Sequence, residues 1–210
     1  VADFGAIGDG VADDTAPIQA AINYAFSAGR KDTLTPVGTY RTTATINVNG
    51  TGMRIIGEGS EFSSTISADF IGTNFTDSAV FKMDGRFQSI SGLGITSSAT
   101  REASSNSFAS GIYIEATDST SNNSWFGDYS DLEIQKQPGN GILCIAQVLL
   151  TSFARLKIHD CKQHGMRFDS GFLTSRTNKA NPGQCNIETV MIYDNLGHGI
   201  LIGNNSDDQT

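Results

Sequence analysis

The sequence predicts an all-β fold: a right-handed, single-stranded parallel β-helix, a solenoid with an N-terminal capping α-helix. Three observations predict it. One amphipathic helical pattern is confined to the first 30 residues, short apolar-x-apolar runs bounded by turn residues follow, and those runs repeat with a constant seven-residue step. Composition agrees, since 23 glycines among 210 residues, with Ser, Thr and Asn crowding the connections, suit many short strands and tight turns. The formal net charge of −8 argues against a nucleic-acid partner, which needs clustered Lys and Arg. No apolar stretch reaches the roughly 20 residues that cross a bilayer, so membrane insertion is not expected.

The helix comes first. Asp13, Asp14 and Thr15 are N-cap candidates, and Pro17 fits a first turn, where its missing N–H costs nothing. Ile18, Ala21, Ile22, Ala25 and Phe26 then lie on one stripe, and Gly29 is a stop signal, placing a helix over about 14–28 within a cap of residues 1–40. The open end of a β-solenoid is the kind of apolar surface such a helix covers.

The coils occupy 41–210, and the whole chain reads as one domain. Runs at Thr45–Val48, Met53–Ile56 and Ala79–Met83 precede the repeat. In three copies the apolar triplets ending at Ile134, Ile158 and Ile192 lead, seven residues on, to Gly141, Gly165 and Gly199, each opening a second strand. A looser copy joins Leu93-Gly94-Ile95 to Gly111-Ile112-Tyr113-Ile114. Copies are 24 and then 34 residues apart, the extra residues falling in the polar stretch 174–186. The recurring glycine is expected to mark a corner with a backbone conformation closed to other residues. A β-sandwich would explain short strands but not the constant step. The last seven residues follow a regular coil without a closing cap, so further coils are expected beyond them. Cys144 reads as core, and a Cys161–Cys185 bond is one option; three scattered cysteines match no zinc pattern, and no metal or cofactor is expected.

The opening Val1-Ala2-Asp3-Phe4-Gly5-Ala6-Ile7-Gly8-Asp9-Gly10-Val11-Ala12-Asp13-Asp14-Thr15, with Ile18-Gln19-Ala20-Ala21-Ile22, resembles the start of the pectate-lyase-like β-helix superfamily. Gly38-Thr39-Tyr40 and Ile55-Ile56-Gly57-Glu58-Gly59 resemble its next turns, although Leu34-Thr35-Pro36-Val37 shifts the proline that usually precedes the first. The resemblance implies a polysaccharide substrate. It leaves hydrolase, lyase and non-catalytic binder open. Its phage tailspike branch, the type favoured here, implies a depolymerase, a homotrimer and a place outside the cell or on a virion surface.

Candidate site residues follow from aligning the copies as rungs about 4.8 Å apart. One column holds Lys136, Asp160 and Asp194, and another Asn140, His164 and His198. Glycan hydrolysis uses two carboxyl groups about 5 Å apart for retention, or roughly 6.5–9.5 Å for inversion, which makes Asp160 and Asp194 catalytic candidates. Gly197-His198-Gly199 resembles the polygalacturonase motif, but the aspartate pair that motif requires is missing. Arg167 is expected to point outward as a substrate contact, alongside His164 and His198. Two insertions, 96–110 and 116–129, would wall a groove. The second carries Trp125 and Tyr129, whose rings would stack on sugar, with Asp128 and Asp131 as acid and base. Hydrolysis is the first reading. Elimination on a uronate glycan and glycan binding without cleavage are the alternatives.

Overall fold

The computed structural model describes residues 1–58, 63–70, 78–98, 110–115, 123–145, 147–169 and 185–203. Among them every strand pairing is parallel, and the chain winds as a right-handed single-stranded β-helix. The first sheet runs β1 (Asp9–Asp13), β3 (Gly38–Thr42), β6 (Ser64–Ala68), β8 (Ser89–Ser97), β11 (Asp128–Gln135), β14 (Ser152–His159), β16 (Asn186–Tyr193). Beside it β2 (Asp32–Thr35) pairs with β5 (Arg54–Gly57), which joins β8. The second sheet runs β4 (Ile46–Asn49), β7 (Phe81–Asp84), β9 (Ile112–Glu115), β12 (Ile142–Cys144), β15 (Met166–Asp169), β17 (Ile200–Gly203). A short third pair joins β10 (Asn123–Trp125) to β13 (Gln147–Leu149).

The repeat read from the sequence is the ladder itself. Ile134 lies beside Ile95 on one side and Ile158 on the other, and Ile158 lies beside Ile192. Ile142 lies between Ile112 and Met166 in the second sheet. These side chains alternate inward and form one continuous core with Leu132, Leu156, Cys144 and Phe168.

The recurring glycine has a different cause from the one expected. Gly111, Gly141, Gly165 and Gly199 do not have positive φ. Steric room decides instead. A Cβ on Gly141 would stand 2.3 Å from Ile158 Cγ2, one on Gly165 2.4 Å from Ile192 Cγ2, and one on Gly111 2.6 Å from Ile134 Cγ2. Gly111, Gly141 and Gly165 are each the hole into which an isoleucine of the next coil packs.

The helix α1 spans Thr15–Ser27 and buries Ile18, Ala21, Ile22 and Ala25 against the first coil. Phe26 departs from the expected stripe: it is partly exposed, with Lys31 Nζ 4.4 Å from its ring centre. Asp14 precedes the helix without capping it through its side chain. Its carboxylate accepts the N–H groups of Ile7 and Gly8 at 2.7 and 3.1 Å, pinning the opening loop, while Asp13 accepts from Thr15. All three cysteines are free thiols, so Cys161 and Cys185 are not bonded. Residues 99–109 and 116–122 of the two insertions, the stretch 170–184 and residues 204–210 lie outside the described residues.

Candidate functional site

The expected carboxylates fall into two groups along the first sheet. Asp128 opens β11 and is exposed, in register with Ser89 and Ser152. Asp131 stands at a bend of the same strand, where Gly92, Asp131, Arg155 and Thr189 occupy one column with φ of 68°, 54°, 52° and 53°. Arg155 grips it with two bonds of 2.6 and 2.7 Å from the next rung, and this guanidinium holds the Asp131 carboxyl below its ordinary range.

Asp160 and Asp194 lie one residue past the ends of β14 and β16, with Lys136 in the same column, at φ of 56°, 54° and 56° respectively. This left-handed corner is a conformation that short polar side chains tolerate, which accounts for aspartate there. Asp160 Oδ2 lies 2.8 Å from His159 Nδ1, and His159 Nε2 lies 3.3 Å from Glu133 Oε1. The imidazole stacks on Tyr193 at 4.7 Å, so this cluster ties three coils together.

The other expected contacts divide by location. Tyr129 is wholly buried in the solenoid interior, stacked on Phe153 at 5.4 Å, and its hydroxyl finds no hydrogen-bond partner among the described residues. Burial pushes that phenol far up. His164 and His198 stack at 5.4 Å in the expected column, and His164 Nδ1 accepts the His198 N–H at 2.9 Å. That contact accounts for Gly197, because a Cβ there would meet His164 Nδ1 at 2.5 Å. Trp125 ends β10, and its side chain lies outside the described part of the structure.

Arg167 does point away from the core, but it is buried. It donates to Asp169 Oδ2 at 2.7 and 3.0 Å, and the two side chains are 6% and 2% exposed. An outer solenoid face normally meets water, so a covered ion pair there is costly: each desolvated ion loses several kcal/mol of hydration, on the order of what its partner returns.

The strand register extends this pair into two columns. Asn47, Lys82, Tyr113, Leu143, Arg167 and Leu201 form one. Two residues on, Asn49, Asp84, Glu115, Ile145, Asp169 and Gly203 form the next. Tyr113, Leu143, Ile145 and Ala79 make a second apolar cluster separate from the core, and Lys82 Nζ lies 6.0 Å from the Tyr113 ring centre. Lys82 and Asp84 stay partly open to solvent. Sequence reasoning singled out only Arg167 here. The missed signal is the paired spacing Lys82/Asp84, Tyr113/Glu115 and Arg167/Asp169 on strands whose intervening residues are core. Chemically the open part of this face offers the Lys82 cation to neutralise a carboxylate and the Asp84 carboxylate to exchange a proton, while Tyr113, Arg167 and Asp169 are buried. Among the described residues no group of three or more His, Cys, Asp or Glu side chains is placed to hold a metal ion.

Comparison with known proteins adds three findings. The family model described as rhamnogalacturonase A/epimerase, pectate lyase-like, matches residues 1–110. Mannuronan C5-epimerase AlgE5 of Azotobacter vinelandii is 37% identical over 134 residues, which is 61% of this chain and 12% of that protein. Thus the chain spans only a small part of the curated relatives it matches. Among solved structures, the A-module of Azotobacter vinelandii mannuronan C-5 epimerase AlgE4 superposes with a TM-score of 0.63 at 20% identity, covering 96% of this chain and 52% of that one. ORF18 of Geobacillus virus E2 superposes with a TM-score of 0.62 at 22% identity, covering 97% and 40%.

Proposed function

Because the chain belongs to the rhamnogalacturonase A/epimerase, pectate lyase-like family, we propose that it is a carbohydrate-active β-helix domain that takes a uronate-bearing polysaccharide at the Lys82 and Asp84 end of the outer face of its second sheet. The observation that carries this reading is that Lys82 and Asp84, two residues apart on β7, stay partly open to solvent, while Tyr113, Leu143, Arg167 and Asp169 in the same two columns are buried. A uronate carboxylate next to Lys82 has its charge neutralised, which makes the adjacent C5 proton more acidic. The Asp84 carboxylate on the same face can then take that proton. Its return to the opposite face inverts C5; loss of the glycosidic leaving group instead gives elimination. The relatives named mannuronan C5-epimerases support the uronate class.

The test incubates the protein with polymannuronate in deuterated water. Deuterium at C5 with inversion reads as epimerisation, an unsaturated uronate as elimination, and new reducing ends alone as hydrolysis. Lys82→Ala and Asp84→Asn are expected to cut the rate at least about a hundredfold, the lower end of general acid–base contributions. Full activity in both variants overturns this site.

A second reading, a tailspike-type hydrolytic depolymerase working as a homotrimer on a virion surface, is favoured by the viral structural neighbour. Asp160 and Asp194 on adjacent rungs would be its carboxylates, with Asp128 and Asp131 as the other pair. Reducing ends without deuterium uptake, abolished by Asp160→Asn or Asp194→Asn, would establish it in place of the first.

A further inference from the structure

Three corner columns of this solenoid have left-handed backbone, and two carry only glycine and polar side chains: Gly92, Asp131, Arg155 and Thr189 in one, Lys136, Asp160 and Asp194 in another. The third is apolar. Phe87, Phe126 and Leu150 have φ of 56°, 57° and 51°, each two residues before the aligned Ser89, Asp128 and Ser152. Bulky apolar side chains in this region are strained and gain nothing from the local backbone. Nor are they core, being 51%, 42% and 47% exposed. The two phenyl rings stack face to face, 4.9 Å apart and within 4° of parallel. Arg54 pairs with Ser89, so the next place in the column belongs to Gly52, where nothing lies within 4 Å of where a Cβ would stand. The stack therefore ends in an aromatic ring beside a place with no side chain.

We infer that the Phe87 ring above Gly52 is a sugar-stacking subsite, taking one pyranose ring by its C–H face. Phe87 lies three residues past Asp84, the last residue of β7, so the open end of the stack follows the strand that carries Lys82 and Asp84, whereas Phe126 and Leu150 directly follow β10 and β13. This inference rests on the carbohydrate reading above. Occupancy by another protein chain is disfavoured by size: a stable interface buries about 800 Å² per partner, far more than three side chains supply.

Phe87→Asn and Gly52→Asn test it, because asparagine tolerates the left-handed region at both positions. Binding of a mannuronate oligosaccharide, and of a neutral glucan oligosaccharide for comparison, is measured by calorimetry beside the thermal midpoint of each variant. Both variants are expected to bind about three- to tenfold more weakly, the scale of one aromatic stacking contact. Phe87→Asn is expected to keep or raise the midpoint, since strain is relieved. Unchanged affinity in both variants overturns the subsite and leaves the carbohydrate reading standing. Failure of the wild-type protein to bind either oligosaccharide overturns both. A lowered midpoint in Phe87→Asn, or a wild-type oligomer that it dissociates, also overturns the subsite, showing Phe87 to be a packing or subunit contact.

Discussion

At Gly141 a single methyl group decides whether two coils can stack. Its missing Cβ is the space filled by Ile158 Cγ2, with the Gly165 carbonyl oxygen 2.6 Å from the same point. Neither neighbour yields easily, because one is packed core and the other is backbone. Gly141→Ala is expected to cost about 1–3 kcal/mol as overpacking, read as a lowered denaturant midpoint. Gly199→Ala is the control: its Cβ would sit 3.6 Å from Ile192 in ordinary contact, so the midpoint should scarcely move. The thiols give a second expectation at this scale. Burial pushes Cys161 up to about 12 and Cys144 well above its ordinary value. Both are therefore protonated at neutral pH and shielded from reagent. Ellman's reagent should react with neither in the native protein and with all three cysteines after denaturation; rapid native labelling of Cys144 or Cys161 would contradict their burial.

At the scale of elements, the coils are tied by side chains as well as by backbone ladders. Arg155 to Asp131, Arg54 to Asp32 and Arg41 to Asp69 each join neighbouring strands or coils. The Arg155 guanidinium lowers the Asp131 pKa from 3.8, so the pair's contribution is fully present above that value and is lost as pH falls through the lower, folded-state value. The stability difference between wild type and Arg155→Gln should be constant above about pH 5 and vanish in stronger acid. A difference that persists unchanged in strong acid would mean the arginine acts by packing instead. Sequence legibility differs between these elements for physical reasons. The helix, the coils and their register were readable because core periodicity and the Ile-into-Gly fit both leave marks at fixed spacing. The second-sheet face was not, because alternation says only that Arg167 points outward; it cannot say that Asp169 is beside it or that the pair is covered. The Phe87–Phe126 corner was hidden for another reason: residue type argues against the left-handed backbone that both adopt.

Across the whole molecule, stability follows position along the solenoid axis. Strands β11 and β14 are paired on both sides, and their inward residues Leu132, Ile134, Leu156 and Ile158 are at most 1% exposed. At the far end β16 and β17 are each paired on one side among the described residues. Ile200 and Ile202 are aligned with Met166 and Phe168, yet they are 42% and 65% exposed. A solenoid of this kind gains stability from each interface between neighbouring coils, so a coil with one interface opens before a coil with two. The first coil is exempt, because α1 supplies the missing interface through Ile18, Ile22 and Ala25. In residues 1–210 taken by themselves, native-state hydrogen exchange should therefore fall into an asymmetric order. The amides of β11, β12, β14 and β15 exchange slowest, β2 and β4 beneath the helix stay close behind, and β16 and β17 exchange fastest. Replacing Ile22 with Ala, which removes about 2–5 kcal/mol of packing from the cap, should speed exchange in β2 and β4 and leave β16 and β17 unchanged. Equal acceleration at both ends would mean that the coils open as one cooperative unit and that the cap protects the entire solenoid instead of its own end.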